Sequence, residues 1–218
     1  MANAVCTIVG AGPGLGRALG DRFAQAGHPV GFIARDQKRV DDYAAAVRAR
    51  GIPSAGATAN AGDPGSLTAA IRGVEAALGA PTGVLIYNAV AASPGLPSQL
   101  APETAVADFQ VSVGGALAAV QAVLPGMKDR GDGRILLTGG GLALHPNAQA
   151  TSLSLGKVAI RSLAFMLAQE LRGTAIRAAT VTICGYIQTG THFDPLRIAE
   201  VFYQTSVSDR TDAEIVYR

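Results

Sequence analysis

The sequence of 218 residues has no tryptophan, two cysteines and only 5% aromatic side chains. With Cys6 and Cys184 as the whole thiol supply, a secreted scaffold stapled by disulfides is excluded. Charge is sparse too: 18 basic and 16 acidic residues leave a net charge of +2. Neither nucleic acid nor an anionic membrane surface is an expected partner for so even a balance. The opening Met1-Ala2-Asn3-Ala4 lacks a cationic stretch, and glycines cut the apolar run behind it, so no secretion leader is expected. No apolar segment is expected to span a membrane, because Pro125 stops the stretch from Gly114 to Val123. These absences predict a cytoplasmic protein, without a metal, whose two cysteines are buried thiols on strands too far apart to pair.

What the chain does have is apolar content, 49% of its residues, which at this length is enough for one sizeable core and a single domain over residues 1–218. The organising stretch is Gly10-Ala11-Gly12-Pro13-Gly14-Leu15-Gly16, which follows the β-branched run Val5-Cys6-Thr7-Ile8-Val9 and precedes a helical pattern from Leu15 to Ala26. Strand, tight glycine turn and helix open a βαβ nucleotide-binding unit. Glycine admits left-handed backbone and close approach, and the helix start offers free N–H groups to a pyrophosphate. Further units follow. Pro29 to Ala34, Gly83 to Val90, Arg134 to Thr138 and Ile176 to Ile183 read as strands, a third unit runs from Val40 to Ala49 through Ile52-Pro53-Ser54-Ala55 to Ala57-Thr58-Ala59-Asn60, and Ala91 to Glu103, with Pro94, Pro97 and Pro102, reads as a loop. Asp36 and Asp63 stand where they would cap the helices starting near Gln37 and at Pro64. The expected fold is α/β, a Rossmann-like doubly wound parallel sheet in three layers, with a shortened C-terminus.

The spacing Gly10-xxx-Gly14-x-Gly16, with Asn88-Ala89 at the end of the fourth strand, Lys157 and Gly185-xxx-Thr189, resembles the short-chain dehydrogenase/reductase family. The resemblance implies an NAD(P) site formed by Gly10, Gly12, Pro13, Gly14, Leu15, Gly16, Asn88, Ala89, Lys157, Gly185 and Thr189, with Asn60 at the adenine edge. At the end of the second strand stands Ala34-Arg35-Asp36. An acidic residue here would bind the ribose, whereas an arginine accommodates a 2′-phosphate, so Arg35 favours NADP(H) with NAD(H) as the lesser option. Family resemblance also implies a homodimer or homotetramer through the long helical stretch Val106 to Lys128 and the helix starting near Thr151, and makes Glu214-Ile215-Val216-Tyr217 the candidate remnant of the family's last strand.

The catalytic half departs from the family. Ser112 holds the position of an asparagine, Gly140 that of the serine that steadies the substrate carbonyl, and Leu153, thirteen positions later, that of the tyrosine of Tyr-x-x-x-Lys. Only Lys157 is retained, and no tyrosine lies between Tyr87 and Tyr186. Loss of a positioned general acid costs ~10²–10⁴ in rate and loss of an oxyanion donor ~10²–10³, not strictly additively. His145 and Tyr186 are the candidate substitutes, since both fall in loops near the expected substrate side. Two functions stand at this point: an NADP(H)-dependent oxidoreductase acting on a small carbonyl or alcohol with an impaired site, and a non-catalytic NADP(H)-binding sensor or silent subunit.

Overall fold

The computed structural model describes residues 3–209 and 211–218, so Met1 and Ala2 of the leader reading lie outside the described residues. Seven strands, β1 (Val5–Val9), β2 (Val30–Ala34), β3 (Ser54–Thr58), β4 (Thr82–Tyr87), β5 (Gly133–Thr138), β6 (Ile176–Ile183) and β7 (Glu214–Tyr217), form one sheet. Its order is β3-β2-β1-β4-β5-β6-β7 and every pairing is parallel. Between them run α1 (Leu15–Gln25), α2 (Gln37–Arg48), α3 (Pro64–Leu78), α4 (Pro102–Phe109), α5 (Gly115–Arg130), α6 (Thr151–Glu170) and α7 (Pro195–Val207).

Helices cover both faces, which is why the strands read as continuous apolar runs rather than alternating ones. Along β5, Ile135 and Leu137 enter the core shared with α3, α5 and α6, whereas Leu136 enters the core shared with α1, α2 and α7. The expected caps form: Asp36 accepts from the Arg39 N–H, and Asp63 accepts from those of Gly65 and Ser66. The remnant Glu214–Tyr217 is a true strand, pairing along β6 from Thr180 to Ile183.

Four expectations need correction. Pro125 does not stop the apolar stretch but sits on the exposed side of α5, which runs on to Arg130; the donor it deletes is lost on the solvent side, while Val120, Val123 and Met127 keep the other side buried. The loop expected to run to Glu103 ends earlier, because Pro102 takes the first helical position of α4. Residues Pro102–Arg130 and Thr151–Glu170 are long and apolar enough to cross a membrane by length and composition alone, yet both lie along the sheet, against β4 and β6. Cys6 is buried, but Cys184, just beyond the end of β6, is only half-buried, and both thiols are free.

Candidate active site

Strand order reverses between β1 and β4, and the crevice beyond their carboxyl ends is where a doubly wound sheet receives its ligand. Gly10 ends β1 there with φ +89°, and a Cβ on it would lie 2.4 Å from the Ala89 nitrogen. Only glycine fits so close a crossing of two turns. Asn88 secures it from the other side, its side-chain amide donating to the Gly10 carbonyl at 2.9 Å. Gly16 packs the helix onto the turn, its absent Cβ 2.5 Å from the Gly10 oxygen. Gly12 and Gly14, by contrast, face open space, Pro13 is exposed, and Leu15 is buried beneath the turn. No side chain caps α1, so its leading N–H groups remain available to an anion.

The Gly10 and Ala11 N–H groups both donate to the Ile33 carbonyl, which ties the end of β2 to the glycine turn. Arg35, two residues beyond, is exposed beside that turn. Asn60 follows β3, exposed, with its side chain accepting from the Gly62 N–H. Gly185 and Thr189 lie in the exposed loop after β6. Gly185 leaves room for the Phe193 ring, 2.1 Å from where its Cβ would be.

At the reaction corner, α4 and α5 are joined through one π-helical turn, Gln110–Gly114, which carries Ser112. The Ser112 hydroxyl accepts from the Ala91 N–H and donates to the Ala91 carbonyl, so the serine ties this helix to the loop after β4. Tyr87, buried at the end of β4, donates its hydroxyl to the Val111 carbonyl in the same turn, and burial pushes its phenol well above the usual range. Gly115 makes room, since a Cβ there would lie 2.3 Å from the Tyr87 hydroxyl. Tyr87 thus pins the π turn to the end of β4.

Gly139 follows β5 because Thr180 and Thr182 fill its side-chain space, their hydroxyls 2.5 and 2.9 Å from where a Cβ would be. Gly140 comes next, with Lys157 passing over it: Cδ and Cε lie 3.3 Å from the position of a Cβ. The lysine donates to the Thr138 carbonyl at 2.7 Å, and burial lowers its ammonium to about 8. Leu153 is half-buried one turn before Lys157. The neighbouring hydroxyls are turned to backbone, Ser152 toward Ser93 and Ser154 toward Asn147. Both candidate substitutes face solvent: His145 is exposed in the loop before α6 and Tyr186 is 93% exposed.

Sequence reasoning passed over Asp108, buried on α4. Its carboxylate accepts from the Ser93 N–H at 2.7 Å. Burial works to raise its pKa, but bonds from Ser152 and Ser93 outweigh that and hold it below the carboxylate range. The signal was a lone acid in an apolar helical stretch. A cleft of about 1100 Å³ between α6, α7 and the amino ends of β5 and β6 lies at the other end of the sheet, away from the strand ends where chemistry is expected.

Known proteins agree with this architecture. The sequence profile described as short chain dehydrogenase matches residues 4–194. A short chain dehydrogenase of Pseudocercospora fijiensis is 29% identical over 174 residues, 78% of this chain but only 55% of the relative's length. The 2-(S)-hydroxypropyl-CoM dehydrogenase 3 of Xanthobacter autotrophicus is 30% identical over 181 residues, 82% of this chain and 70% of that protein. L-Sorbose reductase of Gluconobacter frateurii, solved with NADPH and L-sorbose, superposes with a TM-score of 0.90 at 20% identity, covering 100% of this chain and 95% of that one. A glycine turn closed on Asn88-Ala89 at the switch point, a lysine one helix away and a profile match over most of the length have one common source: the chain belongs to the short-chain dehydrogenase/reductase family.

Proposed function

We propose that this member is an NADP(H)-dependent oxidoreductase that passes hydride between the cofactor and the carbonyl or alcohol carbon of a small molecule, at a reaction corner slower than that of its relatives. The observation that carries the reading is the glycine turn, held closed at Gly10 and Gly16 but open above Gly12 and Gly14, with Arg35 beside it. Its residues fit the cofactor. Gly12, Pro13, Gly14 and the first N–H groups of α1, at Leu15 and Gly16, would hold the pyrophosphate, and Arg35 would meet the 2′-phosphate with paired charge-assisted bonds. Asn60 would stand at the adenine edge, and Asn88, Ala89, Lys157, Gly185 and Thr189 on the nicotinamide side. When bound, NADPH supplies the hydride and leaves as NADP⁺. The NADPH-bound sorbose reductase supports the choice of cofactor. A second copy of the chain is the partner we infer, through the exposed apolar side chains of α4, α5 and α6.

Fluorescence titration with NADPH and NADH tests the reading. NADPH should bind the more tightly, and Arg35→Ser should weaken NADPH by roughly 10–100-fold, the worth of bonds to a charged group, while leaving NADH nearly unchanged. Absence of binding by either cofactor at millimolar concentration would overturn it.

A further inference from the structure

We propose that Lys157 is itself the proton donor of this site, its stem lying against the place where the family pattern has a serine side chain. The proposal rests on the carbonyl-reducing reading given above. Its geometry is local. Cγ, Cδ and Cε of Lys157 all lie within 3.3–3.4 Å of the Cβ that Gly140 lacks, so the side chain lies against that gap and the ammonium stands one bond beyond Cε. A serine at Gly140 would press on this stem.

An ammonium has three N–H groups, and Lys157 spends one on the Thr138 carbonyl. The two that remain can serve the ribose and a substrate oxygen. As hydride reaches the carbonyl carbon, the C–O π pair moves onto oxygen. The Nζ–H bond then breaks, leaving its electron pair on nitrogen and passing its proton to that oxygen. The alcohol departs, and the neutral amine recovers a proton from water.

Titratable groups on the surrounding elements are engaged elsewhere or turned outward. Asp108 on α4 is held by Ser93 and Ser152, and Glu214 on β7 by Arg161 and Thr182. Tyr87 on β4 is committed to Val111, His145 is exposed, and the Cys184 thiol at the end of β6 donates to the Thr182 carbonyl. Burial alone therefore sets the ammonium near 8, close to the working range in which a general acid is most effective.

Two measurements test this. In the cofactor-free protein, NMR titration of lysines labelled at Cε, assigned with Lys157→Arg, should find one lysine titrating near 8. With saturating NADPH and a panel of small aldehydes, kcat for reduction should fall about tenfold per pH unit above that value, and kcat for alcohol oxidation should rise through it. Lys157→Arg keeps the charge but cannot release a proton in this range. It should still bind NADPH, lose ~10²–10⁴ in kcat and lose the alkaline limb. A wild-type rate in Lys157→Arg, an alkaline limb that survives the substitution, or NADPH binding without reduction of any aldehyde would each overturn the lysine assignment and spare the cofactor site. Failure of NADPH to bind would overturn both.

Discussion

Lys157 is half-buried, and its ammonium loses hydration with no carboxylate to offset it. Its folded pKa of about 8 lies below the ordinary 10.5, so between those values the unfolded chain binds more protons and stability rises with pH. Below about 8 both states are protonated and the full penalty stands. That penalty is about 3 kcal/mol for a shift of this size, at roughly 1.4 kcal/mol per pH unit, and the bond to the Thr138 carbonyl returns about 1 kcal/mol of it. Lys157→Met should therefore stabilise the fold by about 2 kcal/mol at neutral pH, with the gain shrinking through the alkaline range and gone once free lysine is neutral. Denaturant unfolding of both proteins at neutral and strongly alkaline pH measures this. An equal gain at both would mean that packing, not desolvated charge, accounts for the difference. A residue that weakens its own fold in this way fits a role in binding or chemistry better than one in architecture.

At the scale of elements, β7 is held by more than its ladder to β6. Arg161 on α6 donates from Nε and Nη2 to both Glu214 oxygens, and the Thr182 hydroxyl donates to the same carboxylate at 2.6 Å. These bonds, Arg161 first, hold the Glu214 carboxyl below its ordinary value. Their contribution is present above that value and lost as pH falls through the folded one. Glu214→Gln should cost about 1–2 kcal/mol at neutral pH, with amide exchange at β7 rising first, and mutant and wild type should converge in acid. Hydrogen exchange followed along β7 checks the order of opening. This tie joins residues far apart in the chain, and no local pattern announced it, whereas the strands themselves were legible. β1, β6 and β7 begin and end where expected because β-branched runs there meet glycine, cysteine or polar residues. β4 stops at Tyr87 instead of Val90, since Asn88 is already committed to the glycine turn. The π turn at Gln110–Gly114 left no sequence signal, because it depends on Tyr87 reaching the Val111 carbonyl past Gly115. In the site, the phosphate-binding half was legible because a backbone turn is written in consecutive glycines. The position of Lys157 was not, because a gap at Gly140 takes on meaning only when a side chain from another element fills it.

For the whole molecule, partnership turns on the exposed apolar side chains of α4, α5 and α6. On α6, Leu155, Val158, Phe165 and Met166 are exposed, and Phe109 and Leu117 are exposed on the neighbouring α4 and α5. The α6 positions recur at three-, seven- and eleven-residue spacings, so they share one stripe of the helix. The opposite side of α6, with Ile160, Leu163 and Leu167, is buried against the sheet. A helix apolar on both faces has a second surface to bury, and contiguous patches of this kind mark association sites. The same two helices pass the length and composition test for membrane spans, and a pair of sheet-packing helices whose outer faces meet another protein accounts for that composition without a bilayer. A second copy of the chain offers a matching stripe through a two-fold axis, the commonest arrangement for a homodimer. Sedimentation should find a dimer or a dimer of dimers. Leu155→Glu with Met166→Glu should shift it to monomer, because each placed carboxylate would lose its hydration in a closed interface, while far-ultraviolet circular dichroism stays unchanged. A wild-type monomer at micromolar concentration, or a double variant that still associates, would remove this face from the interface. Ser152 and Asp108 lie beneath the same layer, bonded to the loop after β4. Dissociation should therefore loosen that loop too, seen as faster amide exchange at Ser93 in the variant.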